Sequence, residues 1–445
     1  MTPPEPDPRT CSLVNRRQFI AGLGATVAVT TVGGWALGVW RGRPDIIAPG
    51  TSTTMPTAGP LPTPDGRTLV IIEMGGGNDG LNMVVPHASN AYHDLRRDLA
   101  VTDPIDLDGE IGLHPNLPGL AELYGAGRLA IVEGVGYPDP ELSHFTSMAT
   151  WWSGDPTARG AGAGWLGKYL DLTGGAEEPL AAIVIGPGPT PALLAEHAFA
   201  VTIQDVSGLA PTLPPWIDTR DELMAAWKGF APAGMAAPGL FGEVQRAIAA
   251  SAAAAGELNT VLAGDAAGGI DSETGAGGMT GRGRDRSLAG YLDLAARLAA
   301  AENPPRVIYV HGWGDFDTHE GQQTRHGDLM AELDGALSGF FDVLDQGNRA
   351  DGVLVMTTSE FGRRAAANGA GTDHGTAAAQ LVIGSTVTGG RFGTPPDLQR
   401  LDRTGNLDHT VDFRSMYATV LDDWLGVGHA EVLGTGFETL GALRA

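Results

Sequence analysis

Continuous apolar runs alternate with segments of helical period along most of the chain. The runs TLVIIEM, LAIVEGV, AAIVIG, RVIYVHG, VLVMTTS and QLVIG predict strands. Helical periods lie around residues 116–127, 219–229, 239–262, 285–302 and 322–346. Because the apolar runs are continuous, the strands are expected to be covered on both faces. The pattern predicts an α/β fold with a mostly parallel sheet sandwiched by helices.

The N-terminal residues carry an export signature. An arginine pair, Arg16 and Arg17, precedes Phe19 and an apolar run over residues 21–40, which is typical of a twin-arginine signal. The run of about 20 residues is also long enough to span a bilayer, so cleavage and anchoring both stay open. We expect residues 1–40 to engage the twin-arginine translocase. The body would be periplasmic, secreted or membrane-anchored facing outward, and would meet the membrane only through this segment.

The rest of the chain divides into a spacer and one domain. Residues 41–66 are rich in Pro, Thr, Ser and Gly and have no apolar period, which predicts a flexible linker. Residues 67–445 are expected to form a single α/β domain. A stretch dense in Gly, Asp, Ser and Thr near 264–284 predicts a surface insertion within it. A repeat of 20 to 50 residues is not evident, which argues against a solenoid or a propeller.

Composition narrows the class of function. The formal charge is -24, and the lysines are Lys168 and Lys228, so the chain lacks the basic footprint of a nucleic-acid-binding protein. The single cysteine, Cys11, precedes the arginine pair. The exported part therefore has no disulfide and no thiol nucleophile. An anionic partner would need a local cationic site or a metal.

The stretch YVHGWGDFDTHEGQ at residues 309–322 is the most specific chemical signal. It follows an apolar run and places His311, Asp315, Asp317 and His319 within nine residues. Carboxylate and imidazole ligands suit a divalent cation such as zinc, and open α/β sheets place sites at the carboxyl ends of strands. The alternative is a capping arrangement for the helix that follows. His311 is interpreted as a structural residue at the strand end.

Two further segments place polar groups after strands. Glu73 precedes the turn GGGNDG, where Asn78 and Asp79 also offer oxygens, although the glycines can equally serve a tight strand-to-helix turn. In PDPELSHFTSMATWWSG, Ser143 lies where a loop enters a helix. A hydroxyl at that position either caps the helix or, beside the backbone N–H groups, meets a phosphate or sulfate.

The last two polar segments lie near the end of the chain. VLVMTTSEFGRR places Glu360 after a strand, with Arg363 and Arg364 just beyond. These arginines bind an anion or neutralise Glu360. Asp373 and His374 follow in a glycine-rich loop, where an exposed role is expected.

Taken in order, these motifs carry a resemblance to a known family. They are the twin-arginine start, LVIIEMGGGNDGLNMVVP, ELSHFTSMATWWSG, DTH at 317–319, SEFGR at 359–363, TDHG at 372–375 and DFRSMYATVLDDWLGV. The chain resembles, from about residue 67 to about 430, the exported bacterial family called domain of unknown function 1501. That family is in turn similar to the alkaline phosphatase and sulfatase superfamily, whose fold is a doubly wound α/β sandwich with a two-metal hydrolytic site.

The resemblance implies a role for each matching residue. Ser143 would be the nucleophile, with Thr146 as the alternative. Metal ligands would come from Glu73, or in its place Asn78 or Asp79, from Asp317 or Asp315 with His319, and from His374. Where the superfamily has an Asp-His pair, this chain has Glu360 and Phe361, and a phenyl ring cannot ligate a metal. One half of the site, Asp317, His319 and His374, thus resembles a three-ligand zinc site, and the other half would offer oxygen ligands alone.

Two functions follow as expectations. The first is an exported, metal-dependent hydrolase of phosphate or sulfate esters, or of a related anionic envelope substrate. Ser143 would attack, zinc (or calcium or manganese) would activate the ester, Glu360 would complete the metal site, and Arg363 would hold the anion. The alternative is a non-catalytic exported binding or assembly protein with a degenerate metal site. A purely structural envelope protein without metal is a third possibility.

Overall fold

The computed structural model describes residues 28–32, 35–39, 61, 64, 66–157, 162–203, 253, 254, 258 and 287–444. The predicted insertion at 264–284 and the predicted helix around 219–229 lie outside the described residues. The predicted linker at 41–66 is described at positions 61, 64 and 66, and the predicted helix at 239–262 at positions 253, 254 and 258. Within the described part of the chain, no helix combines the length and the apolar character needed to cross a bilayer.

The strands form one large mixed sheet and one small sheet. In chain order they are β1 (Ala28–Val32), β2 (Trp35–Val39), β3 (Thr68–Glu73), β4 (Val84–Val85), β5 (Ile105–Asp106), β6 (Gly112–Leu113), β7 (Leu129–Gly136), β8 (Ala182–Ile185), β9 (Val201–Ile203), β10 (Val307–Val310), β11 (Val353–Thr358), β12 (Ala378–Ile383), β13 (Gly390–Phe392) and β14 (Val411–Asp412). The large sheet has the order β1-β2-β9-β8-β10-β3-β11-β12-β7-β13, and β14 also pairs with β7. The small sheet has the order β4-β6-β5.

The centre of the large sheet is parallel. Strands β9, β8, β10, β3 and β11 run in one direction. Strand β12 is antiparallel to both β11 and β7, and β13 and β14 are parallel to β7. The hairpin β1-β2 joins the β9 edge in antiparallel fashion. All six strands expected from the apolar runs are present, and the prediction of a mostly parallel sheet is confirmed.

Helices cover the sheet. They are α1 (Gly80–Met83), α2 (Asn90–Arg96), α3 (Pro118–Gly125), α4 (His144–Ser153), α5 (Trp165–Leu172), α6 (Leu288–Ala299), α7 (Gln322–Gln346), α8 (Phe413–Thr419) and α9 (His429–Leu433). Short 3-10 turns occupy Arg97–Leu99, Gly175–Glu177, Pro191–Leu193 and Ala350–Gly352, and a π-helical turn occupies Val420–Trp424. Helices α3, α6 and α7 match three of the predicted helical segments.

Two hydrophobic cores lie on opposite faces of the large sheet. Val70 and Ile72 of β3 pack in the core that contains α6 and α7, whereas Leu69 and Ile71 pack in the core that contains α5 and α8. Alternate residues of a strand point to opposite faces, so a strand covered on both sides must be apolar throughout. Each such side chain stabilises the fold by about 1.5–3 kcal/mol when fully buried. This confirms the expectation of a sheet sandwiched by helices.

The parallel arrangement gathers the polar strand ends. Strands β3, β10 and β11 end at Glu73, Val310 and Thr358, on the same edge of the sheet. Strand β7 runs in the same direction and leads into the loop before α4. The segments with candidate site residues therefore meet at one edge, as expected for an open α/β sheet.

Candidate metal centre

Three imidazoles and one carboxylate converge beyond the carboxyl ends of the strands. Asp317 Oδ1 lies 3.0 Å from His319 Nε2 and 3.1 Å from His374 Nε2. Asp317 Oδ2 lies 3.5 Å from His144 Nε2, and the facing Nε2 atoms of His319 and His374 are 3.1 Å apart. The ligand atoms of His144, Asp317 and His374 all lie within 4.8 Å of one another. The loops after β10 and β11 and the start of α4 thus build one cluster.

The spacing of these atoms fits a tetrahedral zinc site. With bonds of about 2.0–2.1 Å, two ligand atoms at neighbouring corners are roughly 3.3 Å apart. The cluster places its closest nitrogen and oxygen atoms at 3.0, 3.1 and 3.5 Å. The donor set, which combines imidazole nitrogen and carboxylate oxygen, is also one that zinc accepts readily.

Each imidazole of the cluster also has an outer partner. Nε2 faces the centre, and Nδ1 faces an oxygen atom. The three pairs are His374 Nδ1 with Leu142 O at 2.9 Å, His319 Nδ1 with Asp373 Oδ1 at 3.4 Å, and His144 Nδ1 with Glu360 Oε1 at 2.8 Å. An Nδ1–H that donates to oxygen leaves Nε2 unprotonated, which is the tautomer needed by a metal-binding histidine.

Asp317 is held in its charged form. Burial alone would raise its pKa, but the hydrogen bond and the charge of Arg363, together with the neighbouring imidazoles of His374 and His144, lower the pKa to about 2. The carboxylate is consequently ionised at neutral pH. An ionised carboxylate between imidazoles is the negative element that a divalent cation requires.

Arg363 lies behind Asp317. Its side chain is fully buried, and Nη2 donates to Asp317 Oδ1 at 2.8 Å. The remaining bonds go to backbone carbonyls, those of Gly76, Gly77, Phe316 and Thr372. These contacts make Arg363 an anchor that fixes Asp317 against three turns. The predicted contact of Arg363 with a substrate anion stays a prediction.

Glu360 supports His144 from behind. Its Oε1 accepts bonds from His144 Nδ1 and from Gly76 N, both at 2.8 Å. Its Oε2 is buried and has no hydrogen-bond partner among the described residues. The predicted role of Glu360 as a ligand is not tested, and the observed contacts are those of a residue that orients a ligand. The next residue, Phe361, packs its ring 4.5 Å from that of His374 and 4.9 Å from that of His144.

Glu73 lies at the same sheet edge but contacts another set of groups. Its Oε2 accepts bonds from Trp152 Nε1 at 2.8 Å and from the Tyr309 hydroxyl at 2.6 Å. Its Oε1 is 4.0 Å from His311 Nδ1, while His311 Nε2 binds Gly188 O at 2.6 Å. Glu73 is therefore held by buried donors, and its predicted metal contact stays a prediction. The contacts of His311 are those of a structural residue.

The alternatives to these ligands have other partners. Asp79 is fully buried and accepts two bonds from Arg96, at 2.6 and 2.7 Å. Asn78 Oδ1 lies 3.0 Å from His326 Nε2. Asp315 forms an exposed ion pair with Arg325 at 2.8 Å. These three residues thus lie outside the cluster.

Ser143 occupies the N-cap position of α4, directly before His144. Its backbone is extended, but its side chain makes no capping hydrogen bond. The Ser143 side chain therefore does not cap α4, which was the alternative to its predicted role as the nucleophile. The N-terminal N–H groups of a helix also favour an anion at this position.

Sequence reasoning missed His144 as a member of the cluster. The residue lies inside the motif ELSHFTSMATWWSG, but the pattern drew attention to the neighbouring hydroxyl. Helix α4 begins at His144, and this first turn directs the ring toward Asp317. The available signal was a histidine at a helix start in a chain that has 11 histidines in total.

Sequence comparison gives a family match in the second half of the chain. A sequence model of the family described as "Protein of unknown function (DUF1501)" matches residues 243–437. The resemblance to this family is thereby confirmed. The DUF1501 match covers Asp317, His319, Glu360, Arg363 and His374, but it does not extend to Glu73 or Ser143. No characterised protein gives a significant sequence match.

Solved structures give similarities at low identity. One is Ps i-CgsB in complex with k-i-k-neocarrahexaose, with 12% identity, 84% of this chain and 73% of that chain covered, and a TM-score of 0.38. A protein in the alkaline phosphatase superfamily from Vibrio parahaemolyticus has 11% identity, 84% and 70% coverage, and a TM-score of 0.38. The phosphonate monoester hydrolase of Agrobacterium radiobacter has 10% identity, 83% and 78% coverage, and a TM-score of 0.33. All three TM-scores are below 0.5, so these similarities assign neither a superfamily nor an activity to this chain.

Proposed function

We propose that this protein is an exported, metal-dependent hydrolase of phosphate or sulfate esters, or of a related anionic substrate of the cell envelope. The observation that carries the proposal is the convergence of His144, Asp317, His319 and His374, with an outer oxygen partner behind every imidazole. If these side chains had no ligand to hold, they would gain little from turning three Nε2 atoms toward one point. The arrangement is instead the one that a metal-binding site needs.

The proposed cofactor is one divalent metal ion, with zinc favoured. Imidazole-rich sites suit zinc, whereas calcium and manganese prefer sites dominated by oxygen. Bound there, the ion would act as a Lewis acid that polarises the ester oxygen. His144, Asp317 and His374 would hold it, His319 would add a ligand from the exposed side, and Arg363 would keep the Asp317 carboxylate in place.

Ser143 is the proposed nucleophile. Its hydroxyl lies at the N-terminus of α4, next to a residue of the cluster, and is not engaged in capping. Ser143 Oγ would bond to phosphorus or sulfur as the bond to the ester oxygen breaks, and the serine proton would leave with the alcohol. Water would then cleave the serine ester, which releases phosphate or sulfate and restores the Ser143 hydroxyl. The first N–H groups of α4 would stabilise the anionic group during this exchange.

Export is proposed from the sequence alone. The arginine pair and the residues around it lie outside the described residues. A variant with Arg16→Lys and Arg17→Lys is expected to stay in the cytoplasm, and cell fractionation measures this. Normal export of that variant would contradict the twin-arginine route.

A binding or assembly role is the second candidate, and Phe361 favours it. The phenyl ring packs against both His144 and His374. The resemblance to the superfamily implies a second ligating imidazole at this position. With Phe361 at this position, the site can hold one cation but lacks a ligand for the second cation of a two-metal reaction. In this alternative, the site binds an anionic envelope component through a metal and performs no turnover.

Turnover separates the two candidates. The purified full chain, loaded with zinc, would be tested on a panel of phosphate monoesters, phosphate diesters, phosphonate monoesters and sulfate esters. We expect hydrolysis of at least one class, with loss of about 100-fold or more in kcat for Ser143→Ala. Asp345→Asn is the control, since Asp345 pairs with Arg128 on the surface away from the cluster, and should retain activity. Full activity of Ser143→Ala would remove the nucleophile, and no turnover despite zinc binding would favour the binding role.

A further inference from the structure

Gln322 is the first residue of α7, and its fully buried side chain connects separate parts of the site. Nε2 donates to Asp79 Oδ2, and Oε1 accepts a bond from Thr372 Oγ1 at 2.6 Å. Its backbone N–H donates to Ala370 O at 3.0 Å. One residue thus touches the turn after β3 and, by two bonds, the loop that carries His374.

The Thr372 end of this path leads directly to the cluster. Thr372 N donates to Thr318 O at 3.3 Å, beside Asp317. Thr372 O accepts a bond from Arg363 Nη1 at 3.0 Å, and Arg363 in turn holds Asp317. His374 follows two residues later. The segment at 317–319 and the segment at 370–374 are therefore tied together beneath their ligand atoms.

The Asp79 end is anchored in the core. Asp79 and Arg96 are both fully buried, and their bidentate pair joins the turn after β3 to α2. Burial opposes the charge of Asp79, but Arg96, His326 and Gln322 together lower its pKa, so the carboxylate stays a strong acceptor. A buried charged acceptor makes the Gln322 bond harder to exchange for water.

Close backbone packing at Gly371 gives independent support. A Cβ atom at this position would lie 2.2 Å from His319 O and 2.3 Å from Thr318 O. Such distances are excluded for real atoms, so the two loops touch at a point where any side chain would push them apart. The geometry of the cluster depends on this contact. Gln322 begins α7 directly after the Asp317 loop, and it reaches across to the His374 loop beside Arg363.

We propose that Gln322 is a positioning residue that locks the His374 loop against the Asp317 loop and so sets the ligand geometry of the metal centre. The effect on ligand geometry rests on the proposed metal binding, whereas the contact between the two loops does not depend on a metal. It assigns Asp79, one of the alternative ligands considered for the first strand, to the support of the site. Removing the amide of Gln322 is expected to loosen the metal centre more than it loosens the fold.

A buried glutamine elsewhere in the protein provides the matched control. Gln380 lies on β12, is 1% exposed, and accepts a bond from Thr357 Oγ1 at 3.0 Å. It makes no contact with the four residues of the cluster among the described contacts. Gln380→Ala therefore removes a buried amide of the same type without touching either loop.

The experiment compares Gln322→Ala, Gln380→Ala and the milder Thr372→Val in the full-length protein. Cobalt(II) is the probe, because its visible absorption reports ligand geometry as well as affinity. We expect cobalt affinity about tenfold lower and an altered spectrum for Gln322→Ala and Thr372→Val, the scale of one or two lost buried hydrogen bonds. Gln380→Ala should bind cobalt within about twofold of the unchanged protein. Equal cobalt binding and equal spectra in all variants would overturn the proposal.

Hydrogen exchange supplies the readout that does not depend on metal. Exchange at the amides of Thr372 and Gly375, which donate to Thr318 O and Gly362 O, should rise about tenfold in Gln322→Ala and stay unchanged in Gln380→Ala. If the unchanged protein binds no cobalt, the proposed function fails, and exchange alone decides about the lock. Should Gln322→Ala not fold, Thr372→Val decides, since it deletes one hydroxyl and keeps the shape of the side chain. Unaltered exchange in the variant that folds would refute the lock.

Discussion

His144 Nδ1 lies 2.8 Å from Glu360 Oε1, and this pair links the start of a helix to the end of a strand at the centre of the site. The hydrogen bond that His144 donates to Glu360 is the main cause that raises the pKa of His144, against the opposing effect of burial. It also fixes the ring so that Nε2 faces Asp317. Glu360 Oε2 is buried beside this pair and has no hydrogen-bond partner among the described residues.

Replacing Phe361 by histidine should restore a second metal position. The ring of Phe361 packs against those of His144 and His374, and Oε2 of the neighbouring Glu360 has no hydrogen-bond partner among the described residues. An imidazole at position 361 would combine nitrogen and oxygen ligands there. We expect Phe361→His to raise the zinc content from about one to about two ions per chain, measured by elemental analysis. Phe361→Leu is the control for altered packing, and an unchanged zinc content in Phe361→His would show that the second half of the site is lost in other ways.

The buried pair of Asp79 and Arg96 predicts a large stability effect. Arg96→Met leaves the Asp79 carboxylate buried without its charge partner, which typically costs about 3–5 kcal/mol. The free energy of unfolding from urea titration measures this cost. Arg128→Met is the control, because Arg128 pairs with Asp345 at the surface and such pairs contribute about 1 kcal/mol or less. Equal losses of unfolding free energy in the two variants would show that the buried pair contributes no more to stability than the surface pair.

His326 predicts a loss of stability in mild acid. Burial lowers the pKa of His326 to about 4, against an unfolded value of about 6.5. Between these values the unfolded chain binds the proton and the folded chain does not, so stability is complete above pH 6.5 and falls as the pH is lowered toward 4.

The matching variant is His326→Gln, which can still bond Asn78 Oδ1. Urea unfolding at several pH values between 7 and 4 should show a slope smaller by up to about 1.4 kcal/mol per pH unit than that of the unchanged protein. Gln380→Ala, which removes a buried amide and no titratable group, is the control and should keep the original slope. The same slope in all three proteins would argue against a neutral, buried His326.

The fold was largely predictable because the apolar pattern is strong. Continuous runs such as those of β3 and β11 leave few alternatives to strands covered on both faces. The order of Asp317, His319 and His374 along the chain also predicted their convergence, since parallel strands bring their carboxyl ends to one edge. Local pattern and overall topology agree at these positions.

Other parts of the site depend on contacts that the sequence pattern does not show. The guanidinium of Arg363 donates to backbone carbonyls of three turns, and no spacing in the sequence indicates these contacts. The partner of Asp79 is Arg96, 17 residues away, and no spacing rule selects it among the other arginines. Glu73 is bound by Trp152 and Tyr309, which lie on a different helix and strand. Tertiary packing determines the partners of long side chains, and the pattern of a single sequence does not show this packing.

Zinc titration of the metal-free protein by calorimetry tests the central claim most directly. One zinc ion should bind per chain, and His144→Ala should weaken this binding about 100-fold or more, because it removes the ligand that sequence reasoning missed. His429→Ala, at a histidine paired with Asp422 and outside the cluster, should bind zinc as the unchanged protein does. Zinc binding of equal strength in His144→Ala and His429→Ala, or no binding by the unchanged protein, would contradict the account.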